Sequence, residues 1–223
     1  MKYLALTIAV LSTVIARADS FTVIIESINN PVTVSVPPEF SPASNTIQCQ
    51  SRDSILAYYR NNPARRGIYS SVFLKTWEPV AVYPYIVVGT LGSFRGKQGN
   101  ISQETWNNLR NSALNLNAEK LKKYREKAKE IQKTSPNKES TIEELTWMDN
   151  ENHPDYLVIY SQIRASTPEG AEVDLAIASK LVYKDGFVVN FHLSVDNRVP
   201  DAFALLREYT KLTKVTRIEG FKK

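Results

Sequence analysis

His192, Ser194 and Asp196 stand at alternate positions of one apolar-rich run, and Asp174 lies on the run before it. Those residue types suit a serine hydrolase, in which an imidazole takes the proton of a nucleophilic hydroxyl and a carboxylate orients the ring. The spacing argues against it. Side chains two apart on a strand sit roughly 7 Å from each other, beyond hydrogen-bond reach, and no strand-turn-helix elbow presents a serine. An envelope hydrolase using His192 is therefore the alternative reading, and no catalytic residue is assigned. His153 and His192 are 39 positions apart and no Cys or carboxylate stands at ligand spacing from either, so no metal or other cofactor is expected.

The stretch Gly89–Gly99 looks at first like a phosphate loop before a helix. A P-loop needs four residues between its glycines and a Ser or Thr after the Lys, whereas Gly92 and Gly96 enclose three and Gln98 follows Lys97. We read it as a mobile basic loop whose Arg95 and Lys97 can touch a partner. Glu143 and Glu144 are strand neighbours pointing to opposite faces, and Asp149 and Glu151 fall where a turn is expected, so both pairs read as solvated charges. Segment Glu119–Lys133 carries a net charge of +4 beside an apolar stripe and reads as an amphipathic helix covering a sheet, with an anionic membrane surface or acidic partner as its other use. Trp77, Tyr83 and Tyr85 read as core or rim packing, with a carbohydrate platform as the alternative.

Residues 1–18 combine basic Lys2, an apolar run over Tyr3–Ile15 and small Ala16 and Ala18, the layout of a secretory signal peptide. The run is too short to span a bilayer. The mature protein is then expected to be one domain over 19–223, exported to the periplasm or the extracellular space. That segment holds Lys2 and Arg17 of the 28 basic residues, leaving 26 against 23 acidic ones and a net charge of +3. This mild charge gives no sign of nucleic-acid binding. Cys49 is the only cysteine, so no intrachain disulfide forms, and it reads as a small partly buried side chain.

Alternating runs predict a hairpin from Phe21–Ile28 and Val32–Val36, after which Pro37, Pro38 and Pro42 take the chain out of the sheet as poor strand. A short helix is expected over Ser51–Asn61. Strands follow at Ile68–Trp77 and Val82–Leu91, then a long helix from Trp106 to Ile131 with a break near Asn117, where the apolar spacing loses phase. Four more strands are predicted at Thr141–Met148, Tyr156–Ile163, Val173–Tyr183 and Phe187–Val195, and Pro200 opens a last helix in its first turn. Such an order implies an α+β fold: a curved antiparallel sheet flanked by one long helix and a C-terminal helix.

Around Asp185-Gly186, a two-residue loop would set Leu181 opposite Asn190 and mix apolar with polar faces. A three-residue loop, Lys184-Asp185-Gly186, sets Tyr183 opposite Phe187 and Leu181 opposite Val189, and is the register we expect. It leaves Asp174, Ala176, Ala178, Lys180 and Val182 beside Asn190, His192, Ser194 and Asp196 on a polar face with a low spot at the alanines. Asp174, Lys180, Asn190, His192 and Asp196 are the candidate partner-binding residues of that face, joined by Arg95 and Lys97.

The run Val32-Thr33-Val34-Ser35-Val36-Pro37-Pro38-Glu39-Phe40, a strand closed by proline, an acidic residue and an aromatic, resembles the Mog1/PsbP-like family. The long helix after two β-runs, the antiparallel strands through Lys184-Asp185-Gly186 and the closing helix are similar to it as well. The resemblance implies an αβα sandwich and a non-catalytic accessory or binding role, as in photosystem II extrinsic subunits and exported bacterial proteins. It carries no functional residue over. A cystatin-like or NTF2-like sheet is the competing architecture. The expected function is that of an exported, non-enzymatic accessory protein binding another exported or envelope protein; the alternatives are the His192 hydrolase and a small-ligand carrier with a cavity between sheet and long helix.

Overall fold

The computed structural model describes residues 18–25, 28, 30–42, 53, 69–75, 84–94, 96–115, 126, 141–166 and 172–219. The body of the expected signal peptide, Cys49, Trp77, Tyr83, Arg95, nearly all of the short helix at 51–61 and the second half of the long helix lie outside them.

Strands β1 (Asp19–Ile24) and β2 (Pro31–Val36) form the expected hairpin, with Phe21 opposite Val34 and Val23 opposite Val32. The prolines then lead the chain into a second sheet: β3 (Phe40–Pro42) pairs with β4 (Tyr69–Lys75), and β4 with β5 (Tyr85–Gly89). The stretch read as poor strand is thus strand after all, but at a sheet edge, where a residue lacking an N–H is tolerated. Helix α1 (Gln103–Leu114) follows, then a meander of β6 (Thr141–His153), β7 (Tyr156–Ser166), β8 (Glu172–Lys184) and β9 (Phe187–Asp196), whose last strand pairs back onto β5. Helix α2 (Ala202–Leu212) follows a turn that contains Pro200. A strand we did not predict, β10 (Lys214–Ile218), then joins β2; its bulge between Val215 and Arg217 breaks the alternation that would have revealed it. The sheet orders are β1-β2-β10 and β3-β4-β5-β9-β8-β7-β6.

Both faces of the larger sheet are covered, so β9 is buried along nearly its whole length, Asn190, His192 and Ser194 included. On one face Ile86, Tyr160, Val189 and Phe191 pack with Leu206 and Tyr209 of α2 and with Val34 and Val215 of the smaller sheet. On the other, Leu157, Leu181 and Val188 meet Phe94, Ile101 and Trp106. This is the expected α+β arrangement, an antiparallel sheet between two helices. Ser102 caps α1 by accepting the Thr105 N–H at 3.1 Å, which makes Asn100-Ile101-Ser102 a helix start. Trp106 is fully buried, donates to the Pro154 carbonyl at 2.6 Å and stacks on Tyr183. The helix ends at Leu114 with Asn115 as its cap, two residues ahead of the expected break.

The β8–β9 register is the one rejected from sequence. Lys184 lies opposite Phe187, Leu181 opposite Asn190 and Ile177 opposite Ser194, around a two-residue loop. Asp185 and Gly186 have φ of 50° and 80°, the left-handed pair of a type I′ turn, whose twist matches that of the strands. The rejection assumed one apolar and one polar face, and two covered faces remove that assumption. The Gly-rich loop, expected to be mobile, is tied to this turn: the Gly186 carbonyl accepts N–H bonds from Gly99 at 2.9 Å and Ile101 at 3.1 Å. Beyond the end of β5, the Gln98 side chain serves as one more strand residue. Its Oε1 accepts from the Val188 N–H at 3.0 Å, while its Nε2 donates to the Val188 carbonyl at 3.3 Å and to Thr90 Oγ1.

A methyl group at Gly186 would sit 2.7 Å from the Gly99 carbonyl oxygen, on a backbone that L-residues rarely adopt. Gly186→Ala is expected to lower stability by about 2–3 kcal/mol. Urea denaturation checks this, with Gly96→Ala, which has open space around the same atom, as a milder control carrying the φ penalty alone.

Candidate functional site

The observed register divides the residues predicted to share one polar face. Lys180 lies opposite Phe191 and faces α2, whereas Asn190, His192 and Ser194 sit on the other face with Leu181 and Ile177. Asp174 accepts from Gln162 at 2.8 Å and lies 3.6 Å from Arg164, and Asp196 is held by Arg198 at 2.6 Å. That arginine holds the Asp196 carboxyl below the usual carboxylate range. Lys97 is exposed on the Gly-rich loop, and Arg95 lies outside the described residues. The hydroxyl within reach of His192 Nδ1 is that of cross-strand Ser179, at 3.4 Å, not Ser194. His192 and Ser194 are both buried, which denies a substrate access to them.

Of the predicted residues, Lys180 lines a cavity. It has a volume of about 340 Å³ and lies between the β6–β7 turn, β8 and the segment joining α2 to β10, with Glu151, Asp155, Tyr156, Lys180, Lys211 and Lys214 as its polar lining. The expected carrier cavity was placed against the long helix; this one lies on the opposite face of the sheet. Lys180 is 6% exposed, and its ammonium donates to the carbonyls of Thr210 at 2.5 Å and Thr213 at 2.7 Å. These belong to the last turn of α2, where carbonyls lack intrahelical partners and a cation is favoured. Lys184, four residues on, donates to the Thr216 carbonyl at 2.8 Å, so β8 lysines clamp both the helix end and β10.

A second network supports the floor. Glu151 accepts from the Tyr160 hydroxyl at 2.6 Å, and Tyr160 also meets Thr210 Oγ1 at 2.8 Å. Arg207 of α2 reaches Asp149 at 2.6 Å and Glu151 at 3.5 Å, with its guanidinium 4.6 Å over the Tyr160 ring. Asp149 and Glu151, read from sequence as solvated in a turn, are instead strand residues that hold α2 to β6; the turn lies at Pro154-Asp155. Two carboxylates one strand-repeat apart followed by an arginine on an amphipathic helix was the available signal, but β6 runs five residues past the predicted end.

Burial pulls the Lys180 amine down to about 8, with Lys214 adding to the effect and Glu151 opposing it. The amine loses its proton at lower pH in the folded chain than in the unfolded one, so between about 8 and the ordinary value of 10.5 the unfolded chain binds more protons and stability rises with pH. When neutral, Lys180 still has two hydrogens for two carbonyls. Lys180→Met is expected to destabilise by about 1–3 kcal/mol at pH 7, because it orphans those carbonyls. The gap to the wild type should widen by up to about 3 kcal/mol toward pH 10.5, as the wild type alone gains from deprotonation. Denaturant titrations of both proteins across that range, in which Glu151, Asp155, Lys211 and Lys214 are common to both, test it.

No protein-family model matches the chain, and no curated protein does. Among solved structures, it is similar to the solution structure of cyanobacterial PsbP (CyanoP) from Synechocystis sp. PCC 6803, with 10% identity and a TM-score of 0.45 over 92% of this chain and 95% of that one.

Proposed function

We propose that the protein is an exported, non-enzymatic accessory protein that binds another exported or envelope protein, and that the mouth of the Lys180 cavity is its contact surface. The observation that carries this reading is an open concavity lined by three lysines, two of them, Lys211 and Lys214, exposed. Cationic groups around an open cleft steer and select an acidic partner. The residues that suggested hydrolysis serve other ends: Asp174 and Asp196 are occupied by arginines, and His192 is buried beside Ser179. Lys97 on the Gly-rich loop offers a second basic point on the other side of the sheet.

Affinity capture from an envelope extract tests the reading. The wild type should enrich a specific partner, and Lys211→Glu with Lys214→Glu should reduce its recovery by about tenfold or more, as for charge reversal at a contact. Lys97→Glu, run in parallel, should have a smaller effect. Absence of any enriched partner, or a partner indifferent to all three reversals, would overturn it.

A further inference from the structure

We infer that the cavity beside Lys180 receives a single carboxylate group carried on an apolar body. A buried cation is ordinarily matched by a carboxylate, because desolvating an ammonium without a counter-ion is costly. Among the described residues Lys180 has none within ion-pair distance: its partners are two backbone carbonyls and the face of Tyr156, 4.9 Å away. Lys214 lines the same space and is likewise without an ion pair among the described residues, whereas Lys211 is taken by Glu208 at 2.6 Å. Two cations thus line one cavity without an ion pair to either among the described residues, and Glu151 on the same wall acts on Lys180 only from beyond ion-pair distance.

The rest of the lining sets the charge and shape of the ligand. Glu151 and Asp155 stand on the β6–β7 side, so a dianion such as phosphate meets repulsion that a monoanion tolerates. Tyr156, Val182 and Val215 supply apolar wall for the body that carries the carboxylate. The volume of about 340 Å³ is at the small end of ligand pockets and suits one compact group. Either a free carboxylic acid or the C-terminal end of a peptide presents this chemistry.

The inference rests on the cavity being the contact site proposed above, and one set of titrations separates the two. The full chain is titrated with hexanoate, hexanamide, inorganic phosphate, and an apolar peptide with a free or an amidated C-terminus, followed by calorimetry and NMR shifts. Hexanoate should bind saturably and hexanamide about tenfold more weakly or worse. Lys180→Met should abolish binding and Lys214→Glu weaken it about tenfold or more, the latter covering the case in which the former misfolds. Preference for the free-acid peptide over its amide would identify a chain end as the source; binding of hexanoate alone would identify a small acid. Equal affinity for hexanoate and hexanamide, tighter binding of phosphate, or no saturation by any carboxylate would overturn the inference. A captured partner that depends on Lys214, with no carboxylate binding, would sink the carboxylate site and leave the contact surface standing. Hexanoate binding with no Lys211- or Lys214-dependent partner would do the reverse.

Discussion

The two-residue turn at Asp185-Gly186 decides which side chain looks which way across the centre of the molecule. A strand has a side-chain period of two, so one residue more in that loop would send every β9 side chain to the opposite face. Phe191 and Leu193 would leave the α2 core, and His192 would enter it. The turn is held from outside as well as by its own dihedrals, because the Gly186 carbonyl is the acceptor for two N–H groups of the Gly-rich loop. That loop in turn buries Phe94 and leads into the cap of α1. One pair of left-handed residues therefore fixes the sheet register and the approach of a helix to it.

The same register directs Lys180 toward the end of α2, where the amine joins three elements. It satisfies carbonyls that a helix terminus leaves open, and it does so at the start of the β10 segment that completes the smaller sheet. Lys184 repeats the arrangement two strand repeats later, on β10, an edge strand of the smaller sheet. An open strand edge is a site for unwanted pairing, and long charged side chains laid across it are a common protection. Lys180 thereby combines a structural task with a position on the wall of an open cavity. Its lowered proton affinity follows from that double placement, since the carbonyls draw the amine into a region with little water.

Much of the fold was legible. Alternation located eight of the ten described strands, all but the edge strand β3 and the late β10, and the apolar spacing at Trp106, Leu109 and Ala113 located the described part of the long helix. The β8–β9 register failed because faces were assigned as apolar or polar, and here both faces of that strand pair are buried. Under that condition Asn190 and Ser194 sit inside among apolar neighbours, and their polarity no longer marks solvent. The site suffered for the same reason. Lys180 was singled out, but for a solvated face it does not occupy. Tyr156, Thr210 and Lys214 were missed because they come from a turn-adjacent strand position, a helix end and an unpredicted strand, which no local pattern connects.

The smaller sheet has a consequence in time. Its central strand, β2, is flanked by β1, which is made just before it, and by β10, which is made after every other described strand; Thr216 Oγ1 donates to the Thr33 carbonyl across 183 residues of chain. Until Lys214–Ile218 has been synthesised, β2 keeps one edge unpaired, and Val32 and Val34 lack the cover of Val215 and Ile218. Contacts between such distant segments form slowly, because a long loop must close before they are rewarded. The smaller sheet is therefore completed after the larger one, and a chain that has not yet made β10 carries an open, β-branched strand edge ready to pair with another copy of itself.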